Sequence, residues 1–546
     1  MSLPVLSVAE IRGIEAEADA QGYSYASMMD DAGRAVAEYA AHLLSGVTTP
    51  RISLLIGRGN NGGDGLVAAR ELPNSLPGAQ VRVYLIERRE DDPLLESAQA
   101  RGVFVSYAED DHDGRVIKQM SASSDLIIDA LFGIGVRLPI RDSAQRVLRY
   151  VRQSLNERAL ARRAKPVLSA AAPGQIERPP RQFVLAVDCP SGVDCDTGAA
   201  DPVALKADVT LTFIAPKPGL FTFPAAGLVG EALVVPLNMP EGISLFKHTS
   251  LVLIDNESAR ALLPRRPLDA NKGTFGRVLL VAGSNRMPGA AGLAAKAAYR
   301  SGAGLVEVAA PADAISVLQT HLLEAVWTPL AERNGYIVTE ALLELKSRLA
   351  HADTLVIGPG MGGPEHNGVF VQELLLSLSN EDTKRPVIVD ADALNALAVL
   401  PNWHTLLPPD AILTPHPGEM ARLTHSAVVE VQKDRLKVTA LAAAEWQAIV
   451  ILKGAHTVIA APDGRVAISP IKTDALAKGG TGDVLAGLLG ALRAQGAKPF
   501  DAACLAVYLH GVAGLIASER AGYSGGILAS EVADALPAAF ARISSG

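Results

Sequence analysis

The sequence predicts an α/β protein of two three-layer domains, each a largely parallel sheet between layers of helices. Three observations carry this. The chain has 546 residues, enough for two to four domains at roughly 150 residues each. Hydrophobic residues make up 49% of it and charged residues 20%, with 49 Gly and 34 Pro, the balance of a protein rich in strand–loop–helix turns. Short β-branched or leucine-rich runs alternate with helical stretches in two separate series, the signature of parallel sheets covered on both faces.

In chain order, Ile11–Leu44 is Ala- and Glu-rich, with Ile14, Met28, Met29, Ala32 and Val36 at helical spacing, and predicts two helices broken near Gly22. The first strand series follows: Ile52–Ile56, Val81–Ile86, Asp125–Asp129, Phe183–Val187 and Val209–Phe213. The second comprises Arg277–Ala282, Leu305–Ala309, Thr354–Ile357, Pro386–Val389, Ile412–Thr414 and Ala448–Leu452. Between them Pro236–Gly276 has no sustained period, although it holds the apolar run Leu251–Ile254, so the boundary is placed near residue 240, giving domains 1–240 and 241–546. The Ala/Pro/Arg-rich stretch Ala159–Arg181 reads as a surface insertion, either a solvated loop or a local basic patch for an anionic partner.

Composition also excludes. A net charge of -8 supplies no global positive field for nucleic acid or anionic lipid. Cys189, Cys195 and Cys504 form no disulfide framework and no CxxC pair, which argues for a reducing compartment and against structural zinc. The first twenty residues lack an apolar signal core, and no run of 18 apolar residues occurs. A cytoplasmic protein is expected, with small-molecule ligands, no nucleic-acid or membrane partner, and a homo-oligomeric state.

The chemistry-bearing motifs sit at strand ends. Ile52–Ile56 runs into "GRGNNGGDG", a Gly/Asn turn that exposes backbone amides before a helix, where phosphate is favoured. It has neither dinucleotide-fold nor P-loop spacing. After Asp125–Ile128 comes "DALFGIGVRLPI", and after Phe183–Val187 comes "DCPSGVDCDTG". Ligands of doubly wound sheets bind outside strand carboxyl ends, so these three loops are expected to converge on one pocket. Oxygens of Asn61, Asp129 and Ser191 suit a hard cation. Asp188 is either a general acid/base or a helix cap.

These motifs, with "MMDDAGRAVA" upstream, resemble the N-terminal domain of NAD(P)H-hydrate epimerases over about residues 10–235. The resemblance implies a Rossmann-like domain that interconverts the R and S forms of hydrated NADH and NADPH at the nicotinamide C6. It implies that Asn60, Asn61, Gly62, Gly63 and Asp64, and also Gly133, Ile134, Gly135, Val136, Arg137, Leu138 and Pro139, contact the hydrate. Asp188 would bind it and handle protons, and Asn61, Asp129 and Ser191 would hold K+. Some relatives carry a lysine where this chain places Arg137, and an arginine is a poor proton shuttle.

In the second series, "VAGSNRMPGAAGLAAKAAYR" is a strand, a turn and an Ala-rich helix whose Gly289, Ala290 and Gly292 allow either ligand approach or close helix packing. "VIGPGMGG" and "VIVDADALNAL" end two further strands, and "ILTPHPGEM" puts His416 between prolines, as a ligand contact or a loop-structural residue. The sharpest motif is "AKGGTGDVLAGLLGAL". Gly479, Gly480 and Gly482 precede an apolar helix and build an anion hole beside Asp483, which carries a proton or merely caps the helix.

The Gly-Thr-Gly-Asp turn resembles ribokinase-like kinases. With "GPGMG", "VDADALNAL", "TPHPGEM" and "LKGAHT" it is similar, over about residues 270–540, to ADP- or ATP-dependent NAD(P)H-hydrate dehydratases. The resemblance implies a ribokinase-like domain in which Lys453, Gly454, Ala455, His456, Thr457 and Gly482 bind the adenine nucleotide, with Mg2+, and Gly360, Gly363, His416 and Asp483 meet the S-form hydrate. Lys478 stands where many relatives have a small polar residue. The competing reading is a small-molecule kinase for a vitamin-type alcohol, with a non-catalytic N-terminal domain.

Overall fold

The computed structural model describes residues 3–162, 181–243, 249–379 and 385–545 and separates into two units, Pro4–Thr249 and a C-terminal unit beginning at Ser250. Most of the Ala159–Arg181 stretch lies outside the described residues. Its first part does not: Ala159–Arg162 form the last turn of the helix Asp142–Arg162, so helical structure runs past the expected start of the insertion.

The N-terminal unit holds a seven-stranded parallel sheet in the order Phe104–Tyr107, Gln80–Leu85, Arg51–Ile56, Leu126–Ala130, Phe183–Val187, Val209–Phe213, Glu231–Val235. The central strands are apolar without alternation because both faces are covered. Leu54, Ile56, Val83 and Ile128 enter one core, and Leu55, Tyr84 and Ile127 enter the opposite one, as the period of two requires. The two edge strands were missed. Phe104–Tyr107 and Glu231–Val235 are only partly buried, so neither has the uniform apolar run that marks the interior. The first two helices are Val8–Ala20 and Tyr25–Leu43, broken at Gly22 as expected, with a Ser7/Glu10 capping box opening the first.

The C-terminal sheet runs in the order Leu251–Leu253, Val466–Ile468, Val458–Ala460, Ile449–Leu452, Ile412–Leu413, Val387–Val389, Thr354–Ile357, Arg277–Val281, Leu305–Pro311, Val326–Leu330. Pairing is parallel except where Val458–Ala460 lies antiparallel to both neighbours. The apolar run in the connecting stretch thus becomes a strand of this sheet. The helix Pro499–Ala521 is long and apolar enough to cross a membrane, but most of it is buried in the core of its own unit.

Small residues let the helix Thr481–Ala494 press onto the Ala-rich helix Pro288–Arg300. A Cβ on Gly487 would stand 2.0 Å from the Ala294 carbonyl oxygen, and Ala291, Ala294, Ala295 and Ala298 are fully buried. Gly292 likewise faces Leu318, so this stretch serves helix packing. All three tryptophans, Trp327, Trp403 and Trp446, belong to this unit. Gly487→Val is expected to destabilise it by about 2 kcal/mol, because the added methyls force the helices apart. The tryptophan-fluorescence midpoint in urea measures this.

Candidate active sites

In the N-terminal unit the loops after Arg51–Ile56, Leu126–Ala130 and Phe183–Val187 bound one cavity of about 730 Å³, so the expected convergence occurs. Asn60, Asn61, Asp64, the whole run Gly133–Pro139 and Asp188 line it. Gly62 and Gly63 sit outside the lining. A Cβ on Gly62 would stand 2.0 Å from the Gly57 carbonyl oxygen, and one on Gly63 2.4 Å from Met29 Sδ, so these glycines let the turn close and the helix Tyr25–Leu43 approach. Arg137 is exposed at the rim.

Asp129 is fully buried. Its Oδ2 accepts from the Ser191 amide (2.8 Å) and its Oδ1 from Ser191 Oγ (2.6 Å), while Ser191 Oγ itself accepts from the Phe132 amide (2.9 Å). Next along the chain, Gly133 abuts the Asn61 carboxamide, whose oxygen and nitrogen are buried without a hydrogen-bond partner among the described residues. A buried amide left unpaired is costly unless something else meets it. An orphan carboxamide oxygen near a buried carboxylate and a hydroxyl is a donor set that fits a hard cation. Burial pushes the Asp129 carboxyl up despite the Ser191 hydrogen bonds, and a bound cation would favour its ionised form.

Asp188 takes the left-handed conformation (φ 66°) at its strand end, and its amide donates to the Leu211 carbonyl (2.7 Å). Its Oδ1 accepts a 2.6 Å hydrogen bond from Lys217, a residue absent from the sequence reading. The one available signal was a lone lysine in the apolar run Leu211–Leu220 just after a strand. Glu15 was missed too, because an amphipathic helix does not reveal which polar residue faces a cavity. Burial and Asp188 push the Glu15 carboxyl up. Burial, then Asp188 and Glu15, hold Asp64 well above the usual carboxylate range. The cavity thus combines an ion-paired carboxylate with carboxyls biased toward their neutral form.

In the C-terminal unit a cavity of about 470 Å³ lies at the start of the helix Thr481–Ala494, where Gly480 (φ 91°) turns the chain into the helix. Gly479, Gly480, Gly482 and Asp483 line it together with Asp390, His416, Lys453, Gly454, Ala455 and Thr457. Lys453 Nζ donates to Asp390 Oδ1 (2.7 Å) and lies 3.7 Å from Glu419, while Thr414 Oγ1 also donates to Asp390 Oδ1 (2.6 Å). Asp390 Oδ2 is buried without a hydrogen-bond partner among the described residues. Burial pulls the Lys453 ammonium down, but Asp390 and Glu419 reverse it and the net shift is upward. Burial, reinforced by Asp390 and opposed by Lys453, raises Asp483 to about 7. Glu419 also rises to about 7, by burial first.

His416 caps the helix Pro417–Leu423. Its Nδ1 accepts from the Gly418 (2.9 Å) and Glu419 (3.3 Å) amides, which leaves the proton on Nε2, and burial with Lys453 holds the ring below its ordinary value. His456 lies outside the cavity lining: its ring is buried, with Nδ1 3.1 Å from the Ser469 carbonyl oxygen, and burial lowers it to about 4. Gly360 and Gly363 also lie outside the lining. Gly360 packs against Met287 and Ala290, and Gly363 against Glu365. Lys478 Nζ donates to the Gly525 carbonyl (2.7 Å). Sequence reasoning missed Arg435, which braces the Lys453 loop through the Leu452 (2.8 Å) and Lys453 (3.2 Å) carbonyls, and His510, which reaches the lining from the core helix Pro499–Ala521.

Two family models match the chain, one described as YjeF-related protein N-terminus over residues 25–219 and one as NAD(P)H-hydrate dehydratase over residues 278–538. The bifunctional NAD(P)H-hydrate repair enzyme Nnr of Moorella thermoacetica is 39% identical over 523 residues, covering 93% of this chain and 91% of that protein. The chain belongs to the bifunctional NAD(P)H-hydrate repair enzymes. The Escherichia coli member is 33% identical over 482 residues, covering 88% of this chain and 83% of its own length. Among solved structures, ADP/ATP-dependent NAD(P)H-hydrate dehydratase from Bacillus subtilis, co-crystallized with ATP/Mg2+, is 35% identical, covering 53% of this chain and 98% of that one, with a TM-score of 0.45. Relatives matched across both domains favour the repair reading over a stand-alone alcohol kinase.

Lys453 links two buried carboxylates in the C-terminal cavity. Lys453→Met leaves Asp390 and Glu419 without their cation and is expected to destabilise the unit by about 3 kcal/mol. Tryptophan-monitored urea unfolding checks the size. Restoration of stability by the added change Asp390→Asn checks the cause.

Proposed function

We propose that the N-terminal cavity interconverts the R and S forms of hydrated NADH and NADPH at C6, and that the C-terminal cavity dehydrates the S form at the expense of ADP. One observation carries the reading: Asp483, raised to about 7, sits in the first turn of the helix whose glycine amides cradle anions, in a chain matched to repair enzymes over both domains. A carboxyl balanced near neutrality can both take and return a proton.

Hydroxide is a poor leaving group. Asp483 takes the proton of the C6 hydroxyl as that oxygen accepts the terminal phosphoryl group of ADP, giving AMP. Phosphate then leaves C6 and takes up the proton lost from C5, and the dihydronicotinamide ring is restored. The amides at Gly480 and Gly482 face the charge that builds during phosphoryl transfer. Gly454, Ala455 and Thr457 hold the nucleotide, and His416 presents Nε2–H to the hydrate. Mg2+ would screen the phosphate charge when bound, and the unpaired Asp390 Oδ2 is the oxygen suited to hold it.

In the N-terminal cavity Asn61, Asp129 and Ser191 would hold K+, which would anchor the hydrate. Asp188 takes the proton of the C6 hydroxyl as the C6–N1 bond breaks and C6 becomes an aldehyde, while Asp64, whose carboxyl burial and neighbouring charge hold well above the usual range, gives N1 a proton; N1 then re-adds to the other face of the aldehyde, both protons return, and the opposite epimer results. Epimerisation gives the S-selective site access to both isomers.

The test supplies each purified epimer with ADP or ATP and follows recovery of dihydronicotinamide absorbance; a stable phosphorylated hydrate or no turnover would defeat the repair reading. Asp483→Asn should slow dehydration of the S form by about 10²–10⁴-fold and leave consumption of the R form by epimerisation intact. Because the base works ionised, the wild-type dehydration rate should climb with pH through a midpoint near 7. Replacing K+ with tetramethylammonium should slow R-to-S conversion alone, seen by separating the epimers chromatographically.

A further inference from the structure

Among the described residues, Lys217 is the one buried cation that lines the N-terminal cavity. It is 1% exposed, and it lines the cavity from the segment after the strand Val209–Phe213. An ammonium has three protons to donate. All three are committed: to Asp188 Oδ1 at 2.6 Å, Thr212 Oγ1 at 2.8 Å and the Phe213 carbonyl at 3.1 Å. Thr212 Oγ1 in turn lies 3.4 Å from Asp188 Oδ1. A lysine so held has no free proton for a substrate. It does, however, fix one carboxylate oxygen of Asp188 and leave the other for the cavity.

We infer that Lys217 is the positioning residue of the epimerase site, holding Asp188 oriented so that its second oxygen meets the hydrate as base. This rests on the epimerase reading above. It also answers a chemical problem of the pocket. Glu15, from the helix Val8–Ala20, and Asp64, from the helix Asn60–Ser75, face Asp188 with acidic groups. Cys189 and Cys195 adjoin it with thiols, and the Arg12 guanidinium offsets Glu15 from the same helix. Of these groups Asp188 alone is bonded to the saturated Lys217, while burial and Asp188 push the Glu15 and Asp64 carboxyls up.

The experiment measures kcat, KM and the pH profile of R-to-S conversion by the full chain at saturating K+, for wild type, Lys217→Met and Lys217→Arg. If Lys217 acts through Asp188, Lys217→Met should lower kcat at least roughly tenfold while KM stays within about threefold. Without its cation a buried carboxylate holds its proton more tightly, so the acidic limb should move up by about one pH unit or more. Lys217→Arg keeps the charge and should keep the limb near its wild-type position, even if the larger side chain lowers kcat. Lys217→Met with an unmoved limb, or Lys217→Arg shifted as far as Lys217→Met, would assign Lys217 a packing role only and overturn the inference. A wild-type chain that leaves the R form unchanged would overturn the epimerase reading itself, and the role of Lys217 with it.

Discussion

In each domain a lysine is pinned to a buried aspartate at the carboxyl end of a parallel strand: Lys217 to Asp188 after Phe183–Val187, and Lys453 to Asp390 after Val387–Val389. Everything else at the two sites is arranged around these pairs. The sheets are apolar on both faces, so a charge at a strand end has little water to stabilise it and must find its partner in the protein. Supplying that partner from a different loop ties the loops together, and it fixes which carboxylate oxygens remain free to face a ligand.

The two pairs are used differently. Lys217 is saturated by protein acceptors and holds one carboxylate, while neighbouring acids are pushed toward their neutral forms. Lys453 shares itself between Asp390 and Glu419, and leaves Asp390 Oδ2 unpaired near Gly482. One cavity thereby gathers carboxyls of different proton affinity around a single ion pair. The other presents a glycine-lined helix start with Asp483 at its edge.

Much of this was legible in the chain. Interior strands announce themselves by unbroken apolar runs, and glycine-rich turns at their ends mark where backbone amides face a ligand. Edge strands such as Phe104–Tyr107 and Glu231–Val235 escaped, because one-sided burial leaves a weaker pattern. Not every motif residue lines a cavity. Gly62, Gly63 and Gly360 lie within motifs yet owe their identity to close packing, and His456 sits between cavity-lining neighbours with its own ring turned into the core. A motif marks a segment of backbone; which of its side chains meets a ligand depends on the direction each one takes.

The sequence by itself determined the class of fold, the strand ends that carry chemistry, and the two acids Asp188 and Asp483, because periodicity and glycine placement are local properties of the chain. Only the tertiary structure decided the company those acids keep. Lys217 lies 29 residues from Asp188, and Lys453 lies 63 from Asp390. The charge state of a buried carboxyl follows from what surrounds it within a few ångströms, and that neighbourhood exists only after distant loops have been brought to one edge of a sheet.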